Sequence, residues 1–172
     1  MARILFIIAQ DGFRDEELFE PKEILEKAGH NCEIASIEKK TCSGMMGAKV
    51  NPDLIVAEAG PEDYDCIIVV GGRGAPKLAE YPDVLELLKN AYKAGKLIAA
   101  ICLGPIVLAK AGLLNSVEAV VFPDKVAIDI LKNGKAKYVA GKDIANNKKI
   151  ITATGPRVAK LFGKEIANTL KV

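Results

Sequence analysis

Short runs rich in Ile and Val alternate along this chain with longer segments of helical period, and that alternation leaves few folds open. The runs at residues 4–9, 32–37, 65–70, 97–101 and 149–153 are almost wholly apolar. Strands so free of polar residues are buried on both faces, which is the condition of a parallel sheet covered by helices above and below. The intervening segments fit that role. Residues 15–28 place Leu18, Pro21, Ile24, Leu25 and Ala28 at helical spacings before Gly29 ends the segment, and residues 82–94 form an amphipathic stretch stopped by Gly95. Further helices are predicted over 106–111, over 125–132 before Asn133-Gly134, and over 157–170. Shorter strands are expected at 118–121 and near Tyr138 and Ile144, and the stretch from Thr41 to Asn51, with Gly44 and Gly47, reads as a hairpin or irregular excursion before 53–57. No linker or repeat interrupts the pattern, so residues 1–172 are read as a single α/β domain with an open, mostly parallel sheet.

Charge and cysteine usage narrow the function classes. The formal net charge is +2, with lysines interspersed among acidic residues, so no basic surface points to nucleic acid or an acidic membrane. No apolar run reaches the roughly 18 residues of a membrane span, and residues 4–9 are too short for a signal-peptide core. The four cysteines, Cys32, Cys42, Cys66 and Cys102, are widely spaced and lack a Cys-x-x-Cys pair. Reduced thiols in a cytoplasm are therefore expected, with no metal and no cofactor, and with Cys32, Cys42 and Cys66 as packing residues.

Chemistry concentrates where the strand 97–101 runs into Cys102-Leu103-Gly104-Pro105. A strand that turns sharply into a helix forces the turn residue into strained backbone and needs small neighbours, and Ala100 and Gly104 supply them. Pro105 suits a first helical turn, which would set Cys102 at the positive end of a helix and favour its thiolate. The local spacing serves a buried packing cysteine equally well.

Ala-Ile-Cys102-Leu-Gly-Pro, taken with Gly71-Gly72-Arg73-Gly74-Ala75-Pro76, Ala111-Gly112-Leu113-Leu114 and Thr154-Gly155-Pro156, resembles the ThiJ/PfpI superfamily across nearly the whole chain. That resemblance implies a flavodoxin-like three-layer sandwich, of the class I glutamine amidotransferase-like kind, forming homodimers or assemblies of dimers. The superfamily includes intracellular proteases, the parkinsonism-associated deglycase, glyoxalases and chaperones. It implies catalytic roles for Cys102 and for Glu17, four residues before Pro21, whose alternative is a surface glutamate near a helix start. Gly71 and Gly72 fall at the family's oxyanion donors, with Leu103 beside them in the binding set; a plain turn after a strand is the other reading of the glycines.

Three family partners are missing. Leu103 stands where the protease branch has a histidine after the cysteine, Phe122-Pro123 where the deglycase branch has His-Pro, and Lys77 where the proteases recruit a glutamate. The lone histidine, His30, belongs to the turn before the second strand, at the amino end of the sheet. A peptidase triad cannot be assembled from these positions. The expected substrates are small reactive carbonyls or their protein adducts, acted on by Cys102 with Glu17. A non-enzymatic stress sensor or chaperone that uses Cys102 oxidation is the alternative, and a PfpI-type peptidase the third reading.

Overall fold

The computed structural model describes residues 1–171. The chain opens with β1 (Arg3–Ile7), β2 (Asp11–Phe13), α1 (Asp15–Lys27) and β3 (Asn31–Ser36), followed by β4 (Cys42–Gly44), β5 (Lys49–Val50) and β6 (Leu54–Ile55). Next come β7 (Cys66–Val69), α2 (Pro82–Lys93), β8 (Leu97–Ile101) and α3 (Pro105–Lys110). The last third holds β9 (Glu118–Ala119), α4 (Lys125–Asn133), β10 (Lys137–Tyr138), β11 (Ile144–Asn146), β12 (Ile150–Ala153) and α5 (Ala159–Leu170).

Among the described residues, seven strands form the central sheet in the order β11-β12-β8-β7-β1-β3-β6. All neighbours are parallel except β11, which pairs antiparallel with β12 at the edge. The pleat divides the apolar residues between two cores. Leu5, Ile7, Ile67, Val69, Ile98 and Ala100 pack on the side of α2, α3 and α4. Ile4, Phe6, Ile68, Leu97, Ala99 and Ile101 pack on the side of α1 and α5. This is the helix-covered, mostly parallel sheet expected from the alternation of strands and helices, and the flavodoxin-like three-layer sandwich that the resemblance implies.

The structure refines the sequence reading at three places, the first of which bears on the cysteine turn. The expected strand 118–121 stops at Ala119 and pairs with β10 outside the central sheet. The Val120 N–H goes instead to the buried Thr152 Oγ1 at 3.0 Å, and the Phe122 N–H to the carbonyl of Cys102 at 2.9 Å. The 41–51 region forms the hairpin β4–β5, one of its two readings, and joins the unanticipated β2 in a small three-stranded sheet. Asp15 clasps that sheet to α1, its carboxylate accepting from the N–H groups of Met46 and Ala48 at 3.0 Å each. Finally, α5 begins at Ala159, because Pro156–Val158 makes a 3₁₀ turn first.

The layer beneath the site depends on close helix contact. A Cβ built on Gly163 of α5 would lie 2.9 Å from the Pro21 Cα of α1, a backbone atom that cannot swing aside. Gly163→Val should therefore cost roughly 1–3 kcal/mol and lower the Tm by several degrees. Gly134→Ala, where the nearest atoms stand 3.4 Å away, should stay within about 0.5 kcal/mol of wild type. Equal Tm values for the two variants would contradict this packing.

Candidate active site

Cys102 has φ 63°, the left-handed backbone region that L-residues seldom occupy, and so sits on a strained strand-to-helix elbow. The turn is fixed from both sides. The Cys102 N–H donates to the Ala153 carbonyl of β12 at 2.9 Å, and the Cys102 carbonyl accepts from Phe122. Glycine at 104 is required because a Cβ there would come within 2.5 Å of the Val69 carbonyl oxygen and 2.9 Å of that of Ile101.

Glu17, in the first turn of α1, has no solvent exposure, and neither carboxyl oxygen has a hydrogen-bond partner. The backbone explains how it reaches the elbow. The Arg14 N–H, just before α1, donates to the Gly71 carbonyl at 2.9 Å, which lays the helix start across the Gly71-Gly72 loop. Gly71 then leaves the space that Glu17 and Cys102 share. A Cβ on Gly71 would collide with Glu17 Oε1 and stand 2.6 Å from Cys102 Cβ. Gly72 is in the left-handed region at φ 106°, and any side chain there would strike the backbone around Phe13 and Arg14.

The electrostatics follow from this enclosure. Burial raises the Glu17 carboxyl from the ordinary 4.5 to about 7, against the opposing pull of the Cys102 thiol, the Arg14 guanidinium and the Gly71 N–H. Burial and the Glu17 charge push the Cys102 thiol up to about 12, although the N–H groups of Gly72 and Leu103 draw it down. The expectation of a thiolate favoured by a helix end is thus corrected. Cys102 is only 7% exposed, α3 starts at Pro105 and is six residues long, and its end effect is smaller than desolvation plus a neighbouring carboxylate. Above neutral pH the pair retains one proton over a wide range, and the two groups titrate together.

The structure brings all five sequence-selected residues together: Cys102, Glu17, Gly71, Gly72 and Leu103. Their division of labour differs from the expected one in one respect. The Gly71 N–H acts on the Glu17 carboxyl, whereas those of Gly72 and Leu103 act on sulfur. His30 accepts from the Ala2 N–H at 3.0 Å, at the amino end of the sheet and away from the elbow. The other thiols are also held protonated. Burial raises Cys32 to about 12 and pushes Cys66 and Cys42 upward.

Sequence reasoning missed Arg14. Its guanidinium pairs with Glu16 at 3.0 Å and opposes the raised pKa of Glu17. Only its place three residues before Glu17 could have suggested it. Nothing in the site resembles a metal centre: among the described residues no cluster of three His, Cys, Asp or Glu side chains could hold an ion. Nor, among the described residues, is any helix long and apolar enough to cross a membrane.

Residues 2–169 match the DJ-1/PfpI family. The chain belongs to that family. It is 38% identical over 171 residues to an uncharacterized protein of Methanocaldococcus jannaschii, covering 99% of this chain and 83% of the relative. A glutathione-independent glyoxalase of Caenorhabditis elegans is 30% identical over 167 residues, covering 97% of this chain and 88% of that protein. Among solved structures, a ThiJ/PfpI domain protein of Brachyspira murdochii superposes with a TM-score of 0.93 at 27% identity, covering 98% and 96% of the two chains. Drosophila melanogaster DJ-1beta superposes with a TM-score of 0.89 at 28% identity, covering 99% and 91%. In this member the elbow sets Cys102 beside the buried Glu17, with Leu103 and Phe122 at the positions where the resemblance implies histidines.

The raised Glu17 pKa makes a stability prediction. A carboxyl titrating at 4.5 unfolded and about 7 folded binds its proton more tightly in the native state, so stability is full below 4.5 and falls as pH rises through 7. Glu17→Gln should remove that loss. The variant should exceed wild type by something on the order of 1–3 kcal/mol at pH 8, and the margin should shrink steadily towards pH 5. Urea denaturation at both pH values checks this. A variant less stable than wild type at pH 8 would show that the carboxylate is a structural asset.

Proposed function

We propose that this protein is a glyoxalase- or deglycase-type enzyme that converts 2-oxoaldehydes, free or attached to protein side chains, into 2-hydroxy acids. The observation that carries the reading is Glu17: a carboxyl with no exposure and no hydrogen-bond partner, set beside a strained cysteine. Burying such a group costs stability, and a pKa near 7 is what a residue that both takes and gives a proton requires. The glyoxalase of Caenorhabditis elegans and a deglycase of Pyrococcus furiosus, the latter 36% identical over 113 residues, support the same class.

The chemistry needs no group beyond these residues and water. The Cys102 thiol adds to the aldehyde carbon: a sulfur–carbon bond forms, the carbonyl π pair moves to oxygen, and the thiol proton passes through Glu17 to that oxygen. A thiol held near 12 requires such a base, and Glu17 near 7 provides it. Glu17 then takes the proton from the former aldehyde carbon, leaving an enediolate, and returns one to the adjacent keto carbon while the hydroxyl proton of the first carbon passes to the oxygen of the second. The first carbon is oxidised to a thioester and the second reduced to an alcohol, with no external oxidant. Water cleaves the thioester, releasing the 2-hydroxy acid and restoring the thiol. The Gly72 and Leu103 N–H groups steady the negative charge as it leaves and rejoins sulfur. Peptide hydrolysis makes a further demand, protonation of an amine leaving group, and Leu103, Phe122 and Lys77 provide no acid for it. Homodimeric assembly and a cytoplasmic setting complete the proposal.

Conversion of methylglyoxal to lactate tests this directly. Cys102→Ala should abolish it, and Glu17→Gln should lower kcat by about 10²–10⁴. No more than trace casein hydrolysis is expected. Turnover that survives Cys102→Ala, or robust peptidase activity that depends on Cys102, would overturn the reading.

A further inference from the structure

The turn of the β4–β5 hairpin lies against the glycine loop that serves Cys102. The Met45 N–H donates to the Phe13 carbonyl at 2.8 Å, and the Arg73 N–H donates to the Met45 thioether sulfur at 3.2 Å. The peptide unit between Gly72 and Arg73 is thereby pinned at both ends, since the Gly72 carbonyl accepts from the Ala75 N–H at 3.1 Å. Gly72 is also the residue whose N–H acts on the Cys102 sulfur, and as a glycine at φ 106° it has no side chain of its own to hold it.

A thioether is a weak acceptor for a backbone N–H, and it is open to oxidants in a way the thiols of this chain are not. Thiols are attacked as thiolates, and burial holds all four cysteines protonated at neutral pH. A thioether has no proton to lose and carries its nucleophilic lone pairs at every pH. Met45 also lines an open hollow of about 410 Å³, with Asp11, Gly12, Gly44, Arg73 and Gly74, whereas Cys102 is only 7% exposed. The two lone pairs of the Met45 sulfur are not equivalent. One faces the Arg73 N–H, and an oxygen placed there would be driven into a nitrogen 3.2 Å from the sulfur. The other is left for the oxidant.

We propose that Met45 is a peroxide-sensitive modification site, and that its conversion to one sulfoxide epimer unpins the Gly72–Arg73 peptide and slows the chemistry of Cys102. The free lone pair attacks the peroxide, and a sulfur–oxygen bond forms as the oxygen–oxygen bond breaks. The hydroxide released takes the proton of the transferred oxygen and leaves as water, so sulfur is oxidised by the two electrons that reduce the peroxide. The remaining lone pair is drawn in by the positively polarised sulfur and no longer holds the Arg73 N–H. Gly72 loses an anchor, and its N–H stabilises the Cys102 thiolate less. Reduction of the sulfoxide restores the contact.

The test uses the full chain carrying Met46→Leu, because Met46 is 64% exposed and would be oxidised alongside. Protein treated with hydrogen peroxide is digested and mapped by mass spectrometry, and the rate of Cys102 alkylation by iodoacetamide at alkaline pH is measured before and after. One oxygen should appear on Met45 while Cys102 is still unmodified. Alkylation should then fall by about threefold or more, the scale of one lost hydrogen bond of modest strength. The two classes of methionine sulfoxide reductase each act on one epimer, so only one of them should remove the oxygen and restore the rate. Met45→Leu keeps the bulk of the side chain but offers no acceptor. It should alkylate at the rate of the oxidised protein and ignore peroxide.

Oxidation of Cys102 ahead of Met45, equal removal of the oxygen by both reductases, or full Met45 oxidation with an unchanged alkylation rate would each overturn the proposal. A peroxide effect that persists in Met45→Leu would overturn it as well, by placing the sensitive group elsewhere. None of these readouts involves a carbonyl substrate, so they stand whether or not methylglyoxal is turned over.

Discussion

Glu17 and Cys102 meet across a glycine, and most of what is distinctive in the structure follows from holding them there. A carboxyl with no exposure is costly, since burial penalises its charge and the pull of the Cys102 thiol, the Arg14 guanidinium and the Gly71 N–H offsets only part of that penalty. The surrounding fold bears that cost. Arg14 anchors the start of α1 on the Gly71 carbonyl, Asp15 clasps the β4–β5 hairpin to the same helix turn, and Gly163 lets α5 press on α1 from behind. On the sulfur side, bonds to Ala153 and Phe122 hold Cys102 at φ 63°. The backbone of neither group can shift away from the other without breaking a bond at the carboxyl end of β8 or at the start of α1.

That enclosure reverses the usual account of a reactive cysteine. A helix end and nearby N–H groups lower a thiol's pKa where solvent can reach it, but here burial and a neighbouring carboxyl prevail. The thiol therefore stays protonated at rest, and its activation belongs to the pair. Glu17, near neutrality, takes the place of the absent histidine as a base. A pair of this kind suits addition to an aldehyde, where one proton is moved and returned, better than the expulsion of an amine.

Much of this was legible in the sequence, for physical reasons that differ by residue. The buried strands announced themselves because a sheet covered on both faces needs unbroken apolar runs, and β8 was read to its end at Ile101. The elbow was legible because only a small residue such as Gly104 fits beneath Val69, and Pro105 marks a helix start. The sign of the Cys102 shift was not, since it depends on burial and on Glu17, 85 positions away in the chain. Nor could short β9 be separated from a longer strand, because Val120 and Phe122 spend their N–H groups on Thr152 and Cys102. Arg14 left only its place three residues before Glu17 as a signal, and its N–H bond to the Gly71 carbonyl joins segments that meet only when the chain is folded.

The central claim is that the Glu17 carboxyl is held protonated up to neutrality beside Cys102. Carbon-13 NMR of protein labelled at the glutamate side-chain carboxyl, with the Glu17 resonance assigned by its absence in Glu17→Gln, measures this without any assumption about substrate. The account predicts a midpoint near 7 that rises when Cys102→Ala removes the hydrogen bond by which the thiol favours the carboxylate, and a single carboxyl standing apart from the rest. A Glu17 resonance that titrates with the exposed glutamates, near the ordinary 4.5, would contradict it.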